Sequence, residues 1–251
     1  MIRYIPIDIE TIPAQREDLR QYIANTVTHP AVMKKAETIA KWEAEDKPAA
    51  VEEAIDKTSF DGAFGQVVCV GLAISDDAPL SFSGMDEALV LDSLNAALND
   101  VPAKDWFSTC IVGHNVAGFD LRFLMQRFIV NGIKPHQIIA RAAQAKPWET
   151  DKVFDTMVQF AGVGKSISLD KLCMALGLEG KGNISGADVW PMVQAGRLAE
   201  VAEYCEHDVA ITRNVFRRMT FSDIAPAQEM PRPVPVPRKT EPKVAVESID
   251  F

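Results

Sequence analysis

The chain has 251 residues, 47% of them hydrophobic, which suffices for one sizeable domain, and no apolar run reaches the roughly 18 residues of a membrane span. Its net charge of −9 argues mildly against a protein that clamps duplex nucleic acid along its length, where Lys and Arg would dominate. The four cysteines are far apart and form no C-x-x-C pair, which argues against a zinc site and a disulfide framework.

The N-terminal segment predicts a strand that carries acids. Over residues 2–12 isoleucines alternate with polar positions, so Asp8 and Glu10 share one face and the isoleucines share the other. Acids within this apolar run exclude a signal peptide. With the reduced thiols, this predicts a cytoplasmic protein that makes no membrane contact.

The rest of the domain predicts alternating strands and helices. A charged insert at 13–62 predicts two or three short helices. After it we expect, in chain order, strands at Gln66–Ile74 and Leu80–Ser83, a helix at Asp86–Leu98, a strand at Ser108–Gly113, a helix from about Gly118 to Val130, a strand around Lys152–Met157, a helix at Ser168–Leu176 and a long helix at Gly196–Met219. This order is typical of an α/β domain with a mixed sheet, here over residues 1–222.

The C-terminal segment has a different composition. Residues 223–251 hold six of the 15 prolines of the chain. We expect this Pro-rich tail to be extended or disordered and separate from the domain.

Further acids occur at positions where a structural protein would not need them. Asp120 opens an apolar helix, and Asp208 lies near the apolar stripe of the last helix, with Tyr204 one turn before it. Each acid alone is more often a surface charge or a helix cap. Buried acids that converge with Asp8 and Glu10 would repel one another unless cations neutralise them. Oxygen ligands suit Mg²⁺ or Mn²⁺, and two such ions can catalyse displacement at phosphorus.

Three segments carry a family resemblance. "DIET" at 8–11, "GHNVAGFD" at 113–120 and "YCEHD" at 204–208 resemble, in order, the exonuclease motifs of the DEDD superfamily in its tyrosine subtype. Residues 64–73 and 168–212 are similar to predicted exonucleases related to the proofreading domain of family-B DNA polymerases. The resemblance implies an RNase H-like fold, in which helices flank a mixed five-stranded sheet and the helical insert follows the first strand.

The resemblance also implies roles for single residues. Tyr204 would orient the attacking water, Thr11 and Ile12 would lie beside the terminal nucleotide through their backbone, and Asn115 and Phe119 would flank the substrate. Asn115 as a helix cap and Phe119 as a core residue are the alternatives. Two Mg²⁺ or Mn²⁺ ions would be bound by Asp8, Glu10, Asp120 and Asp208.

The expected function is that of a 3′→5′ exonuclease. It would hydrolyse the 3′-terminal phosphodiester of DNA, preferring single-stranded or frayed ends, and release nucleoside 5′-monophosphates. An exoribonuclease of the same fold, a non-catalytic module that binds strand ends or a replication partner, and an endonuclease remain alternatives. The acidic and aromatic C-terminus resembles the partner-binding tips of single-stranded-DNA-binding proteins, so the tail predicts a contact with a replication or single-stranded-DNA-binding protein, with an inert tail as the alternative.

Four other positions are weaker candidates. A phosphate-binding loop ending in Lys165 would need glycine where Gln159 stands, so we do not expect one. Lys165 and Lys181 could touch a backbone phosphate, although a solvated loop lysine is the commoner case. For Asp155 we expect a capping or turn role, with a part in shaping the site as the alternative, and for Ser168 an N-cap.

Overall fold

A computed structural model describes residues 3–182 and 184–222. Its five-stranded sheet has the order β3-β2-β1-β4-β5, in which β1 is antiparallel to β2 and parallel to β4. β2 and β3 are antiparallel, and β4 and β5 are parallel, so the expected mixed sheet is confirmed. The strands are β1 Arg3–Ile12, β2 Gln66–Leu72, β3 Leu80–Ser83, β4 Thr109–Gly113 and β5 Val153–Asp155.

Helices surround the sheet, and those between β1 and β2 belong to the insert. They are α1 Glu17–Thr26, α2 Ala36–Glu45, α3 Lys47–Asp56, α4 Glu87–Leu98, α5 Asp120–Val130, α6 Gln137–Ala142, α7 Thr156–Ala161, α8 Leu169–Leu176, α9 Gly186–Gln194 and α10 Leu198–Met219, with 3-10 helices at Lys57–Phe60 and Ala103–Ser108. The insert thus holds the expected short helices. The strand expected around 152–157 was wrong at its end, because the backbone turns into α7 at Thr156.

The two faces of the sheet bury different apolar clusters. The alternating isoleucines of β1 pack with α4, α5 and α6 on one face, where Ile5 and Ile7 are almost inaccessible to solvent. A β-bulge between β1 and β2 interrupts the register after Glu10, and Val68 and Cys69 both join the cluster under α9 and α10 on the other face. The polar face of β1 is therefore covered by α10.

Close approach of α10 to the sheet depends on Gly71 in β2. A side chain at this position would meet Cys205 Sγ at 2.8 Å and Val209 Cγ2 at 3.1 Å. The glycine lets α10 lie directly over β1 and β2, which brings Tyr204 and Asp208 above the acids of β1.

Some expectations concern the ends of the domain. No helix within residues 3–182 and 184–222 is both long and apolar enough to cross a bilayer. The Pro-rich tail at 223–251, and with it the expected protein partner, lies outside the described residues.

Candidate active site

The acids from the three motifs meet in one cavity of about 190 Å³ at the centre of the sheet. Asp8 and Glu10 project from β1, and Asp120 is the first residue of α5. Tyr204 and Asp208 lie one turn apart in α10 and are both buried. The structure therefore brings together all five residues that the motifs singled out, although they are spread over 200 positions of the chain.

Backbone contacts fix the relative position of two of the motifs. Asp120 Oδ1 accepts a hydrogen bond from Ile9 N at 3.2 Å, so the start of α5 is tied to β1 between Asp8 and Glu10. Because Asp120 also lies in the first turn of α5, the helix dipole favours its charged form.

Removal from water nevertheless dominates the electrostatics of the acids. Burial raises the pKa of Asp120 to about 7 and also raises the pKa of Asp208. Burial, followed by the charges of Asp120 and Asp208, raises the pKa of Asp8 well above its ordinary range. The pKa of Glu10 is raised well above its usual range by burial and then by Asp8 and Asp208. Converging carboxyls of this kind favour bound cations.

The side chain of Lys181 is the cation that the structure supplies. Its ammonium group forms an ion pair with Asp208 Oδ2, donates to Tyr204 Oη at 2.9 Å and lies 5.1 Å from the centre of the Tyr204 ring. Burial would lower the pKa of Lys181, but the charges of Asp208 and Asp8 outweigh burial and raise it. The backbone of Lys181 is held by Asp170, whose Oδ1 accepts from Lys181 N at 2.7 Å. Lys181 is thus a residue of the site and not a solvated loop lysine.

The donor set fits hard divalent cations. Ligand atoms of Asp8, Glu10 and Cys205 lie within 4.8 Å of one another, and the buried Asp208 Oδ1 has no hydrogen-bond partner among the residues that the structure describes. A hydrogen bond with Cys69, together with burial, raises the pKa of the Cys205 thiol well above its usual range. The carboxylates that line the cavity offer oxygen donors, and Cys205 is not among its lining residues, which suits Mg²⁺ or Mn²⁺ better than zinc.

The loop from Asn115 to Phe119 is held by Asp155 at the end of β5. Asp155 Oδ1 accepts from Asn115 N at 3.0 Å, and its Oδ2 accepts from Ala117 N at 3.1 Å. The same carboxylate caps α7 through Met157 N and Val158 N, which confirms the expected capping role. Asp155 also fixes the loop that leads into Asp120, so it helps to shape the site as well as capping α7.

The expected substrate-contacting residues divide into two groups. Thr11, Asn115 and Phe119 line the cavity. Asn115 has a left-handed backbone with φ of 61°, and no side chain caps α5, so the capping alternative for Asn115 was wrong. Ile12 is entirely inaccessible to solvent and packs under α10, so it cannot contact a nucleotide in this conformation.

Several residues of the cavity were not predicted from the sequence. His114 bridges Thr156 Oγ1 and Ile167 O at 2.9 Å each, which fixes the end of β4 against the segment after α7. Ser59 and Phe60 come from the insert. No spacing within the insert relates these two residues to the motifs, so only the folded chain reveals their position.

The remaining candidates outside the cavity are structural. Ser168 Oγ accepts from Lys171 N at 3.3 Å as the N-cap of α8, as expected. Lys165 is exposed in the loop between α7 and α8, which agrees with the absence of a phosphate-binding motif there.

Comparison with solved structures finds a similar fold, with a mixed five-stranded sheet flanked by helices. Over 88% of its length the chain is similar to the family B DNA polymerase from the hyperthermophilic archaeon Pyrobaculum calidifontis, with a TM-score of 0.54 and 17% sequence identity. The fold is thus RNase H-like. The chain spans 25% of the length of that polymerase.

Comparison with protein families gives a closer assignment. Residues 95–227, just over half of the chain, match the family described as predicted 3′-5′ exonucleases related to the exonuclease domain of PolB. The chain belongs to this family. No curated protein matches it. The matched segment contains Asp120, Tyr204 and Asp208 but begins after β1, so the family match does not include Asp8 and Glu10, which the fold brings to the same cavity.

Proposed function

We propose that this protein is a metal-dependent 3′→5′ exonuclease that hydrolyses the 3′-terminal phosphodiester of DNA and releases nucleoside 5′-monophosphates. The functional unit is residues 1–222, including the insert at 13–62, with the tail at 223–251 as a separate segment. Single-stranded or frayed ends are the preferred substrates, since the last nucleotide must enter the cavity unpaired. DNA is the proposed polymer because the family is related to the exonuclease domain of a DNA polymerase.

The observation that carries the proposal is the convergence of four carboxyls with raised pKa values in one cavity. Burial of several acids together is costly unless cations neutralise them. Asp8, Glu10, Asp120 and Asp208 would hold two Mg²⁺ or Mn²⁺ ions. When bound, these ions would activate water for attack on phosphorus and stabilise the departing 3′ oxygen.

Tyr204 and Lys181 would prepare the attack. Burial raises the pKa of Tyr204, so its hydroxyl stays protonated at neutral pH and can both donate to the phosphate and accept from water. Lys181 holds this hydroxyl at 2.9 Å and so fixes its direction. Once cations neutralise Asp208, the ammonium group of Lys181 is available to the negatively charged phosphate.

Digestion of an end-labelled oligonucleotide tests the proposal. The 5′-labelled strand is incubated with Mg²⁺ or Mn²⁺ and the full chain, wild type or Asp8→Ala. We expect a descending ladder from the 3′ end with the wild type and a loss of at least about 100-fold in rate with Asp8→Ala. The control is Asp92→Ala, which removes an exposed carboxylate on α4, away from the cavity.

Substrate arms separate the alternatives. Matched RNA that is degraded faster than DNA would replace DNA by RNA as the substrate. A strand blocked at its 3′ end should resist the enzyme, and internal cleavage of it would indicate an endonuclease. An undiminished ladder from Asp8→Ala would overturn the site assignment.

A further inference from the structure

The insert contributes an exposed aromatic ring to the edge of the cavity. Phe60 is 75% exposed and stands at the end of the 3-10 helix Lys57–Phe60, the last helical turn of the insert. It lines the cavity of the acids together with Phe119 of the motif loop. The ring centres lie 6.3 Å apart with 54° between the ring planes, so the two rings form an open corner.

Hydrogen bonds of the neighbouring residues hold the backbone that carries this exposed ring. Thr58, two residues earlier, is buried and its Oγ1 accepts from Ala14 N at 2.7 Å. Ser59 O accepts from Thr11 Oγ1 at 2.6 Å, directly beside the acids of β1. The chain then turns tightly at Gly65, where a side chain would meet Thr58 O at 2.3 Å. Phe60 is therefore presented to the cavity at a fixed position by neighbours bonded to the sheet.

The charges around Phe60 determine whether the phosphate or the base of a nucleotide can bind beside its ring. A neighbouring cavity of about 470 Å³, which Phe60 also lines, carries the carboxylates of Glu52, Glu53 and Asp56. Arg20 pairs with Glu52 and Lys57 with Glu53, which leaves the charge of Asp56 in excess. This surface repels a phosphate that is not neutralised by cations. An uncharged aromatic base, by contrast, gains by stacking on the exposed ring.

We propose that Phe60 is a substrate-binding residue whose ring, together with that of Phe119, contacts the base of the 3′-terminal nucleotide. The insert at 13–62 is then part of the substrate site and not a passive excursion from the sheet. Because every base has an aromatic face, the contact is tolerant of sequence. The inference rests on the proposed function, since that function brings a strand end to the acids.

The test measures binding separately from hydrolysis. The dissociation constant of a 5′-labelled single-stranded DNA oligomer is measured by fluorescence anisotropy with Mg²⁺, using the full chain in the Asp8→Ala background. Phe60→Ala and Phe60→Tyr are compared on an oligomer with a normal 3′-terminal base and on one whose terminal nucleotide is abasic. The control is Phe107→Ala, an equally exposed phenylalanine (71%) in the other 3-10 helix, before β4 and outside the cavity.

The proposal predicts a base-dependent loss. Phe60→Ala should raise Kd about tenfold on the normal oligomer and less than about twofold on the abasic one, while Phe60→Tyr and Phe107→Ala leave Kd unchanged. In chains that retain Asp8, Phe60→Ala should raise KM more than it lowers kcat. Thermal unfolding confirms that each variant folds.

The possible failures are distinguishable. An unchanged Kd in Phe60→Ala, or an equal loss on both oligomers, overturns the stacking role while leaving the exonuclease proposal intact. A base-dependent loss in a chain that hydrolyses no strand with either metal would defeat the proposed function alone. Failure to bind any oligomer and to hydrolyse any strand would defeat both.

Discussion

At the scale of single residues, the chemistry of the site depends on the environment of Tyr204. Its side chain is buried and lines the cavity, and its hydroxyl accepts a hydrogen bond from Lys181 at 2.9 Å. Raised pKa values on Tyr204 and Lys181 mean that both keep their protons at neutral pH. The pair can therefore orient water and phosphate without itself exchanging protons.

Substitution of Tyr204 by Phe isolates this orienting role. The ring keeps its packing, while the hydroxyl is lost, so we expect kcat to fall by about 10- to 100-fold. The affinity for Mg²⁺ or Mn²⁺, measured by calorimetric titration, should change less than about twofold, because no carboxylate is removed. Tyr22→Phe, on an exposed ring of α1, is the control and should leave both quantities unchanged. A parallel loss of metal affinity would instead assign the hydroxyl to the metal site.

The contrast between Tyr204 and Lys181 shows what the sequence can reveal at this scale. Tyr204 and Asp208 follow helical spacing, so their shared face was predictable from the sequence. Lys181 lies in a loop, and its contact with Asp208 bridges 27 residues that no periodicity relates. For the same reason the burial of Ile12, which depends on how α10 crosses β1, could not be deduced from its place in the first motif.

At the scale of elements, Asp155 joins a strand, a helix and a loop. Its two carboxylate oxygens accept four backbone N–H groups, two from the loop after β4 and two from the first turn of α7. The carboxylate is buried, and the residues that donate to it are partly buried except for the exposed Ala117. The loop that carries Asn115 and Phe119 is thus fixed by an acid that does not itself line the cavity.

Removal of Asp155 should therefore affect both stability and substrate binding. Asp155→Ala removes the acceptor of four backbone N–H groups, and we expect the free energy of unfolding to fall by about 2–4 kcal/mol. KM should rise as well, because Asn115 and Phe119 lose their anchor. Denaturant unfolding and steady-state kinetics measure the two effects.

A second aspartate cap provides the matched comparison. Asp86 caps α4 through Leu89 N at 3.2 Å and is exposed. Asp86→Ala should cost only about 0.5–1 kcal/mol and leave KM unchanged. If both variants behaved alike, Asp155 would be an ordinary cap and the anchoring of the loop would be discounted.

Helices and strands were predictable from the sequence where a periodic hydrophobic pattern extends over many residues. β1 and α10 follow clear alternation and helical spacing, and their expected bounds differ from the observed ones by at most two residues. α9 begins at a glycine and contains Pro191, so it offered no uninterrupted helical pattern. α6 and α7 have six residues each and are too short to show a period.

At the scale of the whole molecule, the acidic centre lowers the stability of the metal-free chain. A carboxyl whose pKa is raised on folding binds its proton more tightly in the folded chain. Its contribution is fully present below the unfolded pKa, about 4, and is lost as pH rises through the folded pKa, about 7 for Asp120. Burial also raises the pKa of Asp8 and Glu10 well above their ordinary range, so these two acids add to the loss of stability as pH rises.

Two histidines change the stability of the folded chain in the opposite direction to the acids, but over a lower range of pH. Burial lowers the pKa of His114 and His136, so the stability that depends on their neutral forms is gained as pH rises and is complete above about 6.5. The range from about pH 6.5 to about pH 8.5 therefore reports on the acids.

Thermal unfolding in that range tests the acidic centre as a whole. Without metal, the melting temperature of the wild type should fall by several degrees between about pH 6.5 and about pH 8.5. Saturating Mg²⁺ should remove most of this fall, since bound cations replace the missing protons and stabilise only the folded chain. Asp120→Asn should raise the metal-free melting temperature at the upper pH while abolishing hydrolysis, whereas the exposed Asp92→Asn should change neither. A metal-free melting temperature that stays constant or rises over this range would mean that other groups of the protein balance the charges of the buried acids. The electrostatic argument for two bound cations would then fail.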